Sequence, residues 1–100
     1  MKKLKNINNK SFEDIKHIDD NGFEYWLGRE LQSVLEYVQW RRFEDVINKA
    51  KIACSNSDIK VSDNFADVGK IVKTGVSAKK ITDYKLTRYA CYLIAMNGVL

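Results

Sequence analysis

The sequence has no proline and only five glycines among its 100 residues. Chain reversals must therefore rest on glycine, asparagine, aspartate and serine clusters. It has a single histidine, His17, and two cysteines, Cys54 and Cys91, with no CxxC pair. That combination excludes the usual zinc-binding patterns. Two widely separated cysteines in a cytoplasmic chain read as buried thiols rather than a disulfide. Long hydrophobic runs are also missing. The longest, Tyr89 to Met96, amounts to roughly two helical turns, too short to span a bilayer. Lys2, Lys3 and Lys5 are followed by the polar stretch Asn6 to Lys10 instead of an apolar leader, so a cytoplasmic location is expected. Neither a P-loop nor GxGxxG is present. His17 sits in an acidic, polar segment, and neither cysteine has a base fixed beside it by sequence. Asp19-Asp20 precedes Asn21-Gly22 and reads as turn chemistry more simply than as a metal site. No catalytic set, cofactor or metal is expected, and enzyme activity is disfavoured.

What is present is segregated charge. The net charge is +4. Residues 1–10 carry four lysines and no acid. Residues 11–39 carry seven acids against two bases. Residues 40–53 carry four bases, Arg41, Arg42, Lys49 and Lys51, against two acids. Residues 69–90 carry six bases, Lys70, Lys73, Lys79, Lys80, Lys85 and Arg88, against Asp83 alone. Such segregation favours a basic face suited to phosphate, although a merely solvated face has the same composition.

The pattern of apolar residues describes one domain. Residues 1–10 read as a basic N-terminal tail, and residues 11–100 as the folded part. Ser11 can cap a short helix with Glu13 and Asp14 in its first turn. Asp20-Asn21-Gly22 is a turn, and Phe23 to Leu27 a short strand. Leu27, Leu31, Val34, Leu35 and Val38 recur at helical spacing, predicting a helix that ends near Tyr37. A second helix follows on Trp40, Phe43, Val46, Ile47, Ala50 and Ala53/Cys54, stopped by Ser55-Asn56-Ser57. Residues 55–64 read as a loop. Phe65 to Val72 fits a strand or a short helix, Thr74-Gly75-Val76-Ser77 a turn, and Lys80 to Tyr84 a return strand. Thr87 can cap a last helix carrying Leu86, Ala90, Leu93 and Ile94 on one face, with Asn97-Gly98 as its stop. The expected fold class is α+β, a small antiparallel sheet packed with about three main helices, including a helix-turn-helix-like pair.

Three groups of residues can carry function. In a helix-turn-helix, polar residues early in the second helix reach the major groove. Here these are Gln39, Arg41 and Arg42, with Asp45 next, while Lys49 and Lys51 would meet phosphates. An ordinary αα-corner has the same periodicity. The basic stretch 70–88 holds Lys73, Lys79, Lys80, Lys85 and Arg88, and its Gly75 turn makes a basic finger that can follow a phosphate backbone or enter a groove. Lysines on an edge hairpin can equally serve only to keep it soluble. Tyr25, Trp26, Tyr37, Trp40, Tyr84, Tyr89 and Tyr92 can stack on unpaired bases. Most of them fall at apolar-periodic positions, where core packing is the simpler reading, and Trp26 and Trp40 read as core anchors.

Two long strings carry a resemblance. The first is Phe23-Glu24-Tyr25-Trp26-Leu27-Gly28-Arg29-Glu30-Leu31-Gln32, continued by Leu35-Glu36-Tyr37, Trp40-Arg41-Arg42-Phe43 and Val46-Ile47-Asn48-Lys49-Ala50. The second runs from Asp83-Tyr84-Lys85-Leu86-Thr87-Arg88 through Tyr89-Ala90-Cys91-Tyr92 to Leu93-Ile94-Ala95-Met96-Asn97-Gly98. Over residues 12 to 98 the chain resembles the Bro-N and phage antirepressor-like family found at the N-terminus of DNA-damage-inducible proteins. The resemblance implies a bacterial protein of the SOS response and a module of a class thought to bind DNA. It supplies no catalytic residues. Chains of that family run well past Asn97-Gly98, whereas this one stops at Val99-Leu100. The expectation is a truncated domain whose face over 86–96 is covered by a second copy, as a homodimer or by swapping. The leading functional expectation is DNA binding, to duplex or single strand. The alternative is a protein-interaction module acting on a recombinase or a repressor, with the acidic segment 11–39 as its contact surface.

Overall fold

The structure, a computed structural model, describes residues 9–98. Most of the expected basic tail over 1–10 lies outside the described residues. The chain opens with α1 (Asn9–Asp14), which starts before Ser11. Ser11 is thus inside the helix and is not its cap. Phe12 from this helix is fully buried, and its ring stacks on Trp26 at 4.4 Å between centroids. Strands β1 (His17–Ile18) and β2 (Glu24–Leu27) form a hairpin. The expected turn joins them. Asp19 Oδ1 accepts the backbone N–H groups of Asn21 and Phe23, both at 2.9 Å, an Asx-type closure that needs no tertiary help.

Two helices follow, α2 (Gly28–Val34) and α3 (Trp40–Asn56). A single 3-10 turn at Val61–Asp63 leads into β3 (Phe65–Asp67). Then come β4 (Lys70–Thr74), β5 (Ser77–Ile81), β6 (Tyr84–Leu86) and α4 (Arg88–Gly98). The expected α+β class holds: a four-stranded antiparallel sheet in the order β1-β2-β6-β3, with β4 and β5 paired as a separate ribbon. Phe65 to Val72 is strand, in two pieces. One cross-strand row of the sheet is Trp26, Leu86 and Phe65, and all three side chains are buried. The helices close over this face. Phe43, Val46, Ile47, Ala50 and Cys54 of α3 meet Ala90, Cys91, Leu93 and Ile94 of α4 in the same core. Both cysteines are free and buried, as expected, and burial pushes the Cys91 thiol pKa up. Thr87 caps α4: its Oγ1 accepts the Ala90 N–H at 3.1 Å, while the hydroxyl donates to Asn64 Oδ1.

Both α2 and α3 end in a way that composition hides. Tyr37 N–H reaches back to the Gln32 carbonyl and Glu36 N–H to the Ser33 carbonyl. The same pair of bonds recurs at the end of α3, from Ile59 to Cys54 and from Asp58 to Ser55. This is the Schellman arrangement, whose left-handed residue is usually glycine. Here it is Glu36, at φ +65°, and Asp58, at φ +61°. Left-handed backbone costs a non-glycine residue roughly 1–2 kcal/mol, so packing on either side must hold the turns. The helix therefore stops before Val38, which was expected on the apolar stripe and is 94% exposed.

The helix-turn-helix-like pair is not confirmed. Helix α2 is only seven residues long. Helix α3 packs chiefly on α4 and touches α2 only slightly. The left-handed turn at Glu36 and the extended residue Gln39 (φ −106°, ψ 127°) separate α2 from α3.

Candidate nucleic-acid interface

The ribbon β4–β5 is the most exposed part of the fold. Every residue from Lys70 to Lys80 is exposed. Its register continues that of the sheet without a slip: Asp67 faces Tyr84, and three residues on Lys70 faces Ile81. The Val68 N–H donates to the Asp83 carbonyl across the gap between the two ladders. The ribbon is therefore an arm rooted in the β3–β6 pair at one side of the sheet rather than a loose loop. Gly69 permits the close crossing at the root, since a Cβ there would lie 2.9 Å from the Ile81 carbonyl oxygen. At the tip, Thr74 and Ser77 pair around Gly75-Val76, and Gly75 takes φ +65°. Positive φ at the first central residue alone is the II′ pattern that suits a twisted two-residue hairpin.

Four lysines stand on the arm, and none of residues 68–82 is acidic. Residues directly opposite share a face, and successive rows alternate. Lys79 and Lys70 are thus on one face, Lys73 and Lys80 on the other. Sequence reasoning singled out Lys73, Lys79 and Lys80; the pairing adds Lys70.

Arg29, which sequence reasoning missed, ties the arm root to α3. Its Nε donates to the Thr82 carbonyl at 2.8 Å, its backbone N–H to Asp83 Oδ1 at 2.9 Å, and its guanidinium lies 4.0 Å over the Trp40 ring. Trp40 is the first residue of α3, so Gln39, Arg41 and Arg42 begin next to the arm root, and all three are exposed. Trp40 is a half-buried bridge more than a core anchor. Lower on α3, Lys51 lies 4.7 Å over the Tyr84 ring. The Tyr84 hydroxyl donates to Glu44 Oε2 at 2.8 Å, and burial together with that carboxylate pushes its pKa up to about 12. Arg42 and Lys49, two turns apart, project elsewhere: they line a cleft of about 370 Å³ with Tyr37, Asp45 and the end of α4. The expected residues on α3 are therefore split between two sides.

Lys85 and Arg88 are committed elsewhere. Lys85 Nζ lies 4.4 Å over the Tyr25 ring and 4.0 Å from Asp19. Arg88 grips Glu24 through Nε and Nη2 and Glu13 through Nη1, the shortest contacts being 2.8 Å. Of the aromatics, Trp26 is core, its Nε1 donating to the Phe12 carbonyl at 2.9 Å, while Tyr89 and Tyr92 are exposed. Among the described residues no three His, Cys, Asp or Glu side chains gather as metal ligands, and no helix is long and apolar enough to cross a membrane.

The hydrogen bonds from Arg88 are the leading cause that lowers the pKa of both Glu13 and Glu24 below the ordinary 4.5. A carboxyl lowered on folding stabilises the native state above its unfolded pKa, and that contribution is lost as pH falls through the folded value. The denaturation midpoint of wild type should thus exceed that of Arg88→Met at neutral pH. The two should converge in acid, below the ordinary carboxylate range. A gap constant with pH would show that the contact of the Arg88 guanidinium with the Trp26 ring, 5.0 Å to its centroid, carries the stability instead of the pairing with Glu13 and Glu24.

Residues 14–99 match the BRO family, N-terminal domain. The chain is similar to DNA damage-inducible protein D of Escherichia coli (strain K12), with 43% identity over 94 residues. That alignment covers 93% of this chain and 34% of the relative, so the chain spans about a third of the length of the protein it matches. No solved structure matches it. With most of its length inside the family match, the chain belongs to the BRO family as a member of its N-terminal domain.

Proposed function

We propose that this chain is a DNA-binding module of a bacterial DNA-damage response protein, contacting the phosphate backbone through the β4–β5 arm and the start of α3. The observation that carries the reading is the arm itself: four lysines on two faces, no acid over residues 68–82, and a root tied by Arg29 to Trp40 at the start of α3, between Gln39 and Arg41. An exposed basic element of this kind supplies sequence-independent affinity by releasing counterions. Membership of the BRO family and the name of the E. coli relative support the setting. Gln39 and Arg41 are the base-reading candidates on α3, and Lys51 a phosphate contact. Arg42 and Lys49 belong to a second, more distant basic spot. Lys85 and Arg88 are partnered within the fold, by Asp19 and by Glu13 and Glu24, and are given no part in the contact.

The test is fluorescence anisotropy with labelled duplex and single-stranded DNA over a salt series. The expected result is affinity that falls steeply with salt and favours duplex, because the exposed aromatics are few and the arm is charged. Replacing Arg41 and Arg42 together by alanine should weaken binding to all sequences. Unchanged affinity would remove α3 from the interface, and no binding at low salt would sink the reading.

A second reading has one observation in its favour. Tyr89, Tyr92 and Met96 of α4 are 36%, 44% and 66% exposed, and their spacing places them along one side of the helix. Such a stripe suits a protein partner, either a second copy or a recombinase or repressor. The acidic segment is less available than its sequence suggests: Glu13 and Glu24 are taken by Arg88, Glu30 by His17, and Asp19 pairs with Lys85.

A further inference from the structure

Resting on the reading of the arm as a DNA contact, we infer that Val76 is an apolar wedge that the arm carries into the minor groove of duplex DNA, where it partly unstacks a base step. Val76 is the most exposed large apolar side chain among the described residues, at 108% of its reference surface, and it stands at the extreme tip. A β-branched residue placed there cannot be explained by the fold, since it packs on nothing. Nor does the turn require it: the backbone constraint falls on Gly75, while Val76 has ordinary φ.

The tip is built to be narrow. Residues 74–78 are Thr, Gly, Val, Ser and Ala, with no long side chain among them. The two hydroxyls are occupied within the turn, Ser77 Oγ donating to the Thr74 carbonyl at 3.3 Å and lying 3.4 Å from Thr74 Oγ1. Few donors are left to read a base-edge code, which is what major-groove recognition demands. The first lysines come just behind. Lys73 is in the second row from the tip and Lys79 in the third, on opposite faces. At about 3.4 Å per residue these rows are roughly 7 and 10 Å back, bracketing the depth of the minor groove, about 7.5 Å. With Val76 at the groove floor, Lys73 and Lys79 would stand level with the phosphates of the two opposite walls. An apolar side chain inserted between base pairs from the minor groove unstacks and kinks the duplex, and extra backbone contacts offset the unstacking. The arm has those contacts in reserve in Lys70 and Lys80, farther from the tip.

The experiment uses a short duplex with 2-aminopurine beside a central TA step, the kind most easily unstacked. Anisotropy and 2-aminopurine fluorescence are followed in the same titration, for wild type and Val76→Ser. The arm is peripheral, so the variant keeps the fold. Wild type should raise the fluorescence at saturation. Val76→Ser should abolish that rise while its affinity stays within about threefold, the range of an exposed substitution that removes no charge. An equal rise from both proteins, or no rise from saturating wild type, overturns the wedge and leaves duplex binding standing. No anisotropy change at low salt overturns both together. Tighter binding to vesicles of phosphatidylserine and phosphatidylcholine than to the duplex assigns the basic arm and its apolar tip to a membrane surface instead, and overturns the proposal.

Discussion

Replacing Lys70, Lys73, Lys79 and Lys80 by glutamine is expected to change DNA binding more than any other surface substitution. Each lysine that neutralises a phosphate contributes about 0.9 to the slope of log affinity against log salt, so four of them account for roughly 3.6. At physiological salt the same counterion release corresponds to somewhat less than tenfold in affinity per contact, and about a thousandfold for the four together at most. The fold should not notice. All four side chains are exposed, and among the described residues none of them has a salt bridge of 4.0 Å or less. Stability within about 0.5 kcal/mol of wild type is expected, so circular dichroism and the thermal midpoint separate a lost contact from a lost fold. A slope left unchanged by the four substitutions would move the interface off the arm, to α3 or to the residues before Asn9.

The largest effect on stability belongs to Trp26→Ala. The indole is wholly buried at the centre of the sheet, in the row it shares with Leu86 and Phe65. It stacks nearly parallel to Phe12, with 6° between the planes, and its Nε1 donates to the Phe12 carbonyl. Truncating a buried tryptophan costs about 3–5 kcal/mol through lost transfer and the cavity left behind. Leaving a buried carbonyl without its donor adds roughly 1–3 kcal/mol. A domain of this size is stable by only about 5–15 kcal/mol, so the variant should be largely unfolded or close to it at 37 °C. Trp26→Phe keeps an aromatic ring against Phe12 and loses the donor, so it should cost much less. Val38→Ala, at a position 94% exposed, should fall within about 0.5 kcal/mol of wild type. Urea unfolding followed by far-ultraviolet circular dichroism measures all three. A Trp26→Ala midpoint near that of wild type would contradict the packing of α1 against the sheet.

Local chemistry was legible in the chain. The Asp19–Phe23 turn, the Thr87 cap, the Gly75 hairpin tip and the apolar face of α3 all depend on residues within a few positions of one another. Their side-chain types state what the backbone does there. The ends of α2 and α3 were legible in position but not in cause. Glu36 and Asp58 take a left-handed conformation usually left to glycine, and only packing on either side can hold them in it. The helix-turn-helix reading is not confirmed, for a related reason. Periodicity identifies an apolar face but not the partner that covers it, and α3 gives its face to α4, more than thirty residues downstream.

The candidate interface divides along the same line. Composition alone determined that lysines crowd the segment between Gly69 and Thr82 without an acid, because charge is a property of the residues themselves. Which of the cations remain available was decided by the tertiary structure. Lys85 and Arg88 belong to the same basic stretch as Lys73 and Lys79. The β1–β2 hairpin and α1, however, bring Asp19, Glu13 and Glu24 against them from more than sixty positions away in the chain, and they are paired within the molecule. The arm escapes because its strands pair only with each other beyond the sheet edge. Among the described residues no carboxylate comes within 4.0 Å of its lysines, and they stay open to solvent.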